Sequence, residues 1–303
     1  MPEIPDIEAY ITALNGRVIG ERLCGVRIVS PFLVRTVSPS PSAAVGLRVK
    51  HIERLGKRVV FEFDDETSDA GALFMVIHLM IAGRLHWKPP GSAIPKGSGL
   101  AALDFPRGSL TLTEAGSKKR ASLQLVSGRA ALDALDPGGL EPLGSTVEQF
   151  GAALSRENHT LKRALTDPHL FSGIGNAYSD EILHRAGLSP AKKTKELKPE
   201  EIAALHSATL DVLTAWVEKL ATAAREEFPE KVTAFHPEMA VHGRFGEPCP
   251  VCGSNVERIV YAENECNYCP VCQTGGRILA DRALSRLLKD DWPRSRHQKS
   301  TES

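Results

Sequence analysis

Apolar positions follow two rhythms along this chain, and the change between them divides it. Ile7, Tyr10, Ile11 and Leu14 recur at helical spacing near the N-terminus. Pro5, Asp6 and Glu8 suit a first helical turn, where proline's missing donor costs nothing and acids face the positive end of the dipole. Asn15-Gly16 is the expected stop. From Arg17 to about Ser127 the texture turns to β-rich runs: RVIGERLCGVRIV, GLRVKHIERL, KRVVFEF, ALFMVIHLMIAGRLHW, SLTLTEA and ASLQLV. Turn residues separate them, including the loop PPGSAIPKGSG at 89–99. Short strands at this spacing predict an antiparallel sandwich or barrel. DPGGLEPLG, at 136–144, reads as a linker. Beyond it helices are expected over 146–155, 159–166, 176–186 and 198–226, with a short piece near 168–172. Ile278, Leu279, Ala283, Leu284, Leu287 and Leu288 predict a late amphipathic helix before a polar end.

The length of 303 residues implies two domains and room for a small third module. Lys plus Arg and Asp plus Glu each number 37, so the net charge is zero. Any nucleic-acid contact must then come from a local basic face. No stretch of 18 apolar residues predicts a membrane span, and the basic-then-apolar pattern of a signal peptide is missing. A cytoplasmic protein is expected, nucleoid-associated if bacterial. Five of the six cysteines fall between 249 and 272, a cluster that reads as metal ligation rather than a disulfide framework.

Cys249-Pro-Val-Cys252 and Cys269-Pro-Val-Cys272 are two matching pairs separated by sixteen residues. Four thiolates from two such knuckles suit one closed, tetrahedral, structural Zn2+ site. Cys266 and Cys269 form a second legal spacing; the matched pairs leave Cys266 as a spare thiol. A zinc hairpin alone does not name a function.

The hexamer MPEIPD gives chemistry of a different kind. With Met1 removed, Pro2 carries a free secondary amine, and an α-amine titrates near pH 8 rather than above 10. Such an amine attacks a sugar's anomeric carbon to give an iminium. Glu3 beside it is a candidate proton donor or relay. In the helical half, HLFSGIGNAYSDE places Gly173 and Gly175 before a helix, with Asn176 as a candidate cap and phosphate contact.

Taken in order, MPEIPD, GIGNAY and the paired CPVC knuckles resemble the formamidopyrimidine-DNA glycosylase / endonuclease VIII family. The resemblance runs from residue 1 to about 273 and includes RLGKRVVFEF, LKRALTDPHLFSGIGNAYSDEIL and FHPEMAVHGRFGEPCPVCG. It implies an α+β protein: an N-terminal antiparallel β-sandwich with an N-terminal helix, a helical lobe with a helix–two-turn–helix element, and a zinc β-hairpin finger. The domains are expected at 1–135, 145–240 and 241–274, with a helical extension and polar tail over 275–303. The resemblance further implies a monomeric DNA repair enzyme with damaged or abasic DNA between its lobes and no membrane contact. Pro2 would be the nucleophile of a glycosylase/AP lyase, Glu3 the proton relay and Lys57 a phosphate contact. Asn176 and Lys162 would hold backbone phosphates. His78 and Tyr178 are read as core residues.

Departures from the family pattern bear on activity. Asp6 stands where the family has Glu, and Asn264 where it has a phosphate-gripping arginine. Ile81, after Met80, takes the place of the family's intercalating methionine. GSKKRAS at 116–122 has no aromatic, leaving Lys119 or Arg120 to fill the void of a flipped base. Only FPEKVTA precedes Phe235, too short for the lesion-capping loop of 8-oxoguanine-specific members, so that substrate is not assigned. The alternative readings are a weak or inactive binder of damaged or abasic DNA, and a zinc-ribbon scaffold for protein or RNA.

Overall fold

A computed structural model describes residues 1–64, 72–230, 232, 235–261 and 264–279. The late amphipathic helix and polar tail lie outside the described residues, apart from Ile278 and Leu279. So do the side chain of Asn264 and part of the FPEKVTA run. The chain divides into two compact units: Met1–Pro137 with Ala215–Thr233, and Gly138–Thr214 with the chain from Ala234 onward. The boundary falls inside the linker-like DPGGLEPLG.

In the first unit, α1 (Ile4–Val18) precedes eight strands: β1 (Gly25–Ile28), β2 (Arg48–Leu55), β3 (Arg58–Asp64), β4 (Leu73–His78), β5 (Gly83–Lys88), β6 (Gly99–Phe105), β7 (Gly108–Glu114) and β8 (Ser122–Ser127). They form two four-stranded antiparallel sheets, ordered β1-β6-β7-β5 and β2-β3-β4-β8. One core joins them: Phe61, Phe63, Met75 and Ile77 from one sheet, Leu85, Leu103, Leu110 and Leu112 from the other, and Ile7, Tyr10, Ile11 and Leu14 from α1. Strand alternation sends Val60, Phe74 and Val76 to the opposite face, where Leu132 of α2 (Arg129–Asp133) covers them.

Two sequence expectations change here. Asn15-Gly16 does not end α1, which runs on to the fully buried Val18. Glycine in a helix costs about 1 kcal/mol, whereas burying a valine returns about 1.5–3 kcal/mol. Strand β6 was not expected, because Ala101 and Ala102 carry little strand preference. Its place is set by pairing with β1 and β7.

The second unit contains α3 (Val147–Ser155), α4 (Leu161–Thr166), α5 (Asn176–Arg185) and the first part of α6 (Pro199–Glu226). A hairpin of β9 (Glu257–Tyr261) and β10 (Asn264–Tyr268) and a short α7 (Pro270–Thr274) follow. The short helical piece expected near 168–172 is a turn. It pairs with the linker: Leu140 N–H donates to Leu170 O, and Ser172 N–H donates to Leu140 O. Phe150 and Phe171 meet at 4.7 Å beneath it. No helix among the described residues is long and apolar enough to cross a membrane.

The β4–β5 turn positions the exposed Ile81. Met80 takes a left-handed backbone (φ 52°), an arrangement normally left to glycine. Gly83 N–H closes the turn on Leu79 O at 2.9 Å. A Cβ on Gly83 would lie 2.2 Å from that same oxygen, and backbone cannot step aside as a side chain does. Gly83→Ala is therefore expected to lower stability by about 2 kcal/mol in urea unfolding. A loss under about 0.5 kcal/mol would show that the bend relaxes freely.

Candidate functional site

The chain's first turn is held from within the first unit. Glu3 N–H donates to Asp6 Oδ2 at 2.8 Å, and both side chains are buried. The shorter acid therefore still reaches the backbone at the head of α1. Burial pushes the Asp6 carboxyl up to about 7, with the neighbouring Glu3 charge adding to the rise and the Glu3 N–H bond opposing it. Pro2 is buried, between exposed Met1 and buried Glu3.

The terminal amine, on Met1 here, is held below its usual value of 8.0. Burial is the main cause; the positive charges of Arg84 and Lys57 add to it, while Glu3 and Asp6 oppose it. Lys57 lies in the tight turn between β2 and β3, after Gly56 in a left-handed conformation (φ 60°). The same lysine acts on His78, at the end of β4 opposite Arg58. Burial, then Arg58 and Lys57, bring the His78 imidazole down to about 4, so it is neutral at pH 7. Lys57 and the N-terminus are thus neighbours in one electrostatic field.

Arg84 was not singled out in the sequence, and His78 was read there as a core residue. Arg84 had a readable signal: period-two spacing puts Arg84, His86 and Lys88 on one face of β5. Its guanidinium donates to Gly83 O at 2.7 Å and Ile81 O at 3.2 Å, which ties the Ile81 turn to the field around the terminus. Ile81 is 52% exposed at the tip of that turn. After β7, the buried Glu114 carboxylate accepts from the N–H groups of Arg120 (2.8 Å) and Ala121 (3.0 Å). Lys119 folds back to donate to Glu114 O, whereas the Arg120 side chain is exposed.

In the second unit Lys162, expected from the sequence as a phosphate contact, is engaged within the protein. Its three donors go to Asn176 O (2.6 Å), Ser179 Oγ (2.8 Å) and Asp180 Oδ1 (2.6 Å), and its side chain is 11% exposed. The fully buried Asp180 carboxylate needs a cation, and Lys162 supplies it. Asp180 Oδ2 also bonds His242 Nδ1 (2.8 Å) and accepts from Asn267 N–H (3.1 Å). Glu181, next along α5, accepts from the N–H groups of Ala240, Val241 and His242 at 2.7–2.9 Å. Asn176 is the first residue of α5 rather than its cap, which is Gly175. Its amide donates to Glu265 O of β10 at 2.9 Å. Tyr178 is buried, as read from the sequence.

The sulfur atoms of Cys249, Cys252, Cys269 and Cys272 all lie within 4.8 Å of one another. Cys252–Cys269 and Cys249–Cys272 are 3.3 and 3.9 Å apart. A tetrahedron with bonds of about 2.3 Å has edges of about 3.8 Å, so the four thiols fit one metal ion. His184 Nε2 lies 3.2 Å from Cys249 Sγ and can share the charge of that thiolate. Cys266 is buried on β10 outside the cluster.

Asp6 generates a pH prediction. Its folded pKa of about 7 lies above the ordinary 3.8, so between those values the folded chain holds a proton that the unfolded chain has lost. Stability then falls as pH rises from about 4 to about 7 and stays reduced above that. Asp6→Asn should flatten this slope and be more stable than the parent at pH 8, as read by thermal melts at fixed ionic strength. An unchanged slope would exclude Asp6 as its source.

Comparison with known proteins agrees with the geometry. Residues 1–120 match the formamidopyrimidine-DNA glycosylase N-terminal domain, and residues 139–227 match the formamidopyrimidine-DNA glycosylase H2TH domain. A formamidopyrimidine-DNA glycosylase of Desulfitobacterium hafniense is 31% identical over 281 residues, covering 90% of this chain and 100% of the relative. An uncharacterized formamidopyrimidine-DNA glycosylase-like protein of Mycobacterium tuberculosis is 40% identical over 152 residues, covering 50% of this chain and 94% of the relative. A Lactococcus lactis FPG mutant in complex with Fapy-dG containing DNA superposes with a TM-score of 0.77 at 24% identity, covering 90% of this chain and 100% of that one. The two domain matches and the full-length relative together place this chain in the formamidopyrimidine-DNA glycosylase family.

Proposed function

We propose that this protein removes damaged bases from DNA through an N-terminal proline and then nicks the abasic strand. The observation that carries this reading is the placement of the buried Pro2 at the head of α1, where Glu3 N–H donates to the Asp6 carboxylate, with burial and the charges of Arg84 and Lys57 lowering the terminal amine's pKa. Removal of Met1 would pass the amine to Pro2, one residue nearer the buried Glu3–Asp6 turn. Burial and adjacent cations favour the neutral, nucleophilic form at pH 7. The family's solved complexes include Lactococcus lactis Fpg with abasic-site DNA, which supports the substrate class.

The chemistry follows from these groups. The target nucleotide must leave the stack before its sugar can be attacked. Ile81, exposed on a braced turn, supplies the wedge that enters the gap, and the exposed Arg120 is the cation for the void of the flipped base. Pro2 nitrogen attacks the anomeric carbon and the bond to the base breaks, the amine's proton passing to the departing base; Glu3 then protonates the ring oxygen, whose bond to the anomeric carbon opens to leave an open-chain iminium. The resulting iminium acidifies the adjacent sugar proton. Its loss expels the 3′ phosphate, and hydrolysis of the remaining imine frees the proline. Lys57 holds a phosphate beside the sugar, and neutral His78 can donate to the same phosphate without adding charge. Asn176, through whatever capacity its bond to Glu265 O leaves, contacts the strand from the helical unit. Zn2+ fits the four cysteines as a structural ion, since four protein thiolates complete a tetrahedron and leave no reacting position.

Borohydride should trap a covalent adduct with abasic duplex whose mass equals DNA plus protein lacking Met1. Pro2→Gly should reduce trapping by about 100-fold or more, and protein retaining Met1 should give no adduct. Tight abasic-site binding with no adduct would favour the inactive-binder reading. Lys57→Ala should lower the salt slope of DNA binding by about 1.

A further inference from the structure

A second polar site lies on the outer face of β5 and β7. Leu85, Leu110 and Leu112 point into the core, so alternation turns His86, Lys88, Thr111 and Thr113 outward. Together with Glu230 and the loop 89–98, which includes Ser98, they line a cavity of about 440 Å3. That is the low end of the range for small-ligand pockets.

The rim is preformed. Gly91 N–H donates to Ser109 Oγ (3.0 Å), Arg27 Nη2 to Ser92 O (2.8 Å), Gly99 N–H to Pro95 O (2.9 Å), and Glu114 N–H to Ser98 O (2.8 Å). At the wall, two donors converge on one carboxylate. His86 Nδ1 is 2.5 Å from Glu230 Oε2, and Lys88 Nζ is 3.1 Å from both Glu230 oxygens. His86 Nε2 bonds Thr113 Oγ1 at 2.8 Å, which fixes the ring. On the floor, Thr111 is 2% exposed and its hydroxyl has no hydrogen-bond partner among the described residues. A buried hydroxyl left unbonded costs free energy that a ligand oxygen would return.

We propose that this cavity binds a small sugar phosphate, with the phosphoryl group taking the place of the Glu230 carboxylate on Lys88 and His86. A phosphoryl group brings nearly two negative charges and three acceptor oxygens against the single charge of Glu230. The hydroxyl-bearing floor of Thr111 and Thr113 suits a sugar ring. The cavity's volume excludes an oligomer. Glu230 is thus an internal occupant that an incoming phosphate displaces.

The test is calorimetric titration of the full chain with 2-deoxyribose 5-phosphate, inorganic phosphate and a 5′-phosphorylated oligonucleotide. The sugar phosphate should bind saturably, at least about tenfold more tightly than inorganic phosphate. Lys88→Ala should weaken it by about tenfold or more, Thr111→Val should weaken it, and Glu230→Gln should tighten it by removing the internal competitor. Lys88 and Glu230 are solvent-accessible at 47% and 32%, so their variants carry the test if Thr111→Val fails to fold. No saturable binding to the parent and Glu230→Gln proteins would overturn the proposal. So would an unchanged affinity in Lys88→Ala, which would place binding at the DNA-facing cations. Equal affinity for inorganic phosphate would overturn the sugar assignment, and binding of the oligonucleotide alone would overturn the small-molecule site.

Discussion

The hydrogen bond from Glu3 N–H to the Asp6 carboxylate sits at the end of a chain that would ordinarily fray. It closes the first turn of α1, and everything α1 buries holds that turn in place. Ile4, Ile7, Tyr10 and Leu14 are inaccessible to solvent. Tyr10 extends the tether: its hydroxyl accepts from Leu85 N–H at 3.2 Å, on the strand that carries Arg84. One short path of bonds therefore runs from the terminus through α1 to β5 and to a cation acting on the terminal amine. The proposed terminal nucleophile would need this kind of support, because a misplacement of about an ångström costs orders of magnitude in rate.

Zero net charge conceals how unevenly the charges are used. In the first unit Lys57, Arg84 and Arg58 bear on the terminus and His78, and the charge of each is felt by a neighbour rather than lost to solvent. In the second unit Lys162 is spent inside, balancing an acid that has no access to water. Both arrangements use a lysine in similar sequence company, beside an arginine and ahead of an apolar run. Burial of the partner decides between them: a carboxylate with no access to water calls for a cation at hydrogen-bond distance, and Lys162 lies there.

Much of this was legible beforehand. The spacing of Ile7, Tyr10, Ile11 and Leu14 marked α1, and the paired CPVC knuckles marked the four-cysteine cluster, because periodicity and ligand spacing are local properties. What escaped notice depends on tertiary partners. Ala101 and Ala102 form a strand only because β1 and β7 flank them. Gly16 stays helical because Val18 has a core to enter. His78 looked like a core histidine. Its half-burial fits and is the main cause of its low pKa, but Arg58 across the strand and Lys57 in the next turn lower it further, and no window around residue 78 contains them. Lys162 faced the same limit, since Asp180 lies eighteen residues away.

The adjacent acids on α5 do separate jobs. Glu181 seats the backbone of 240–242, and Asp180 gathers a lysine, a histidine and β10, while the thiol cluster draws its two knuckles together and meets α5 through His184. The finger is therefore fastened twice, by carboxylates at its root and by sulfur at its tip. Stripping the ion would let the knuckles come apart while the root stayed docked. For any ion those sulfurs take up, removal would then be a local, reversible fraying that the rest of the fold outlasts.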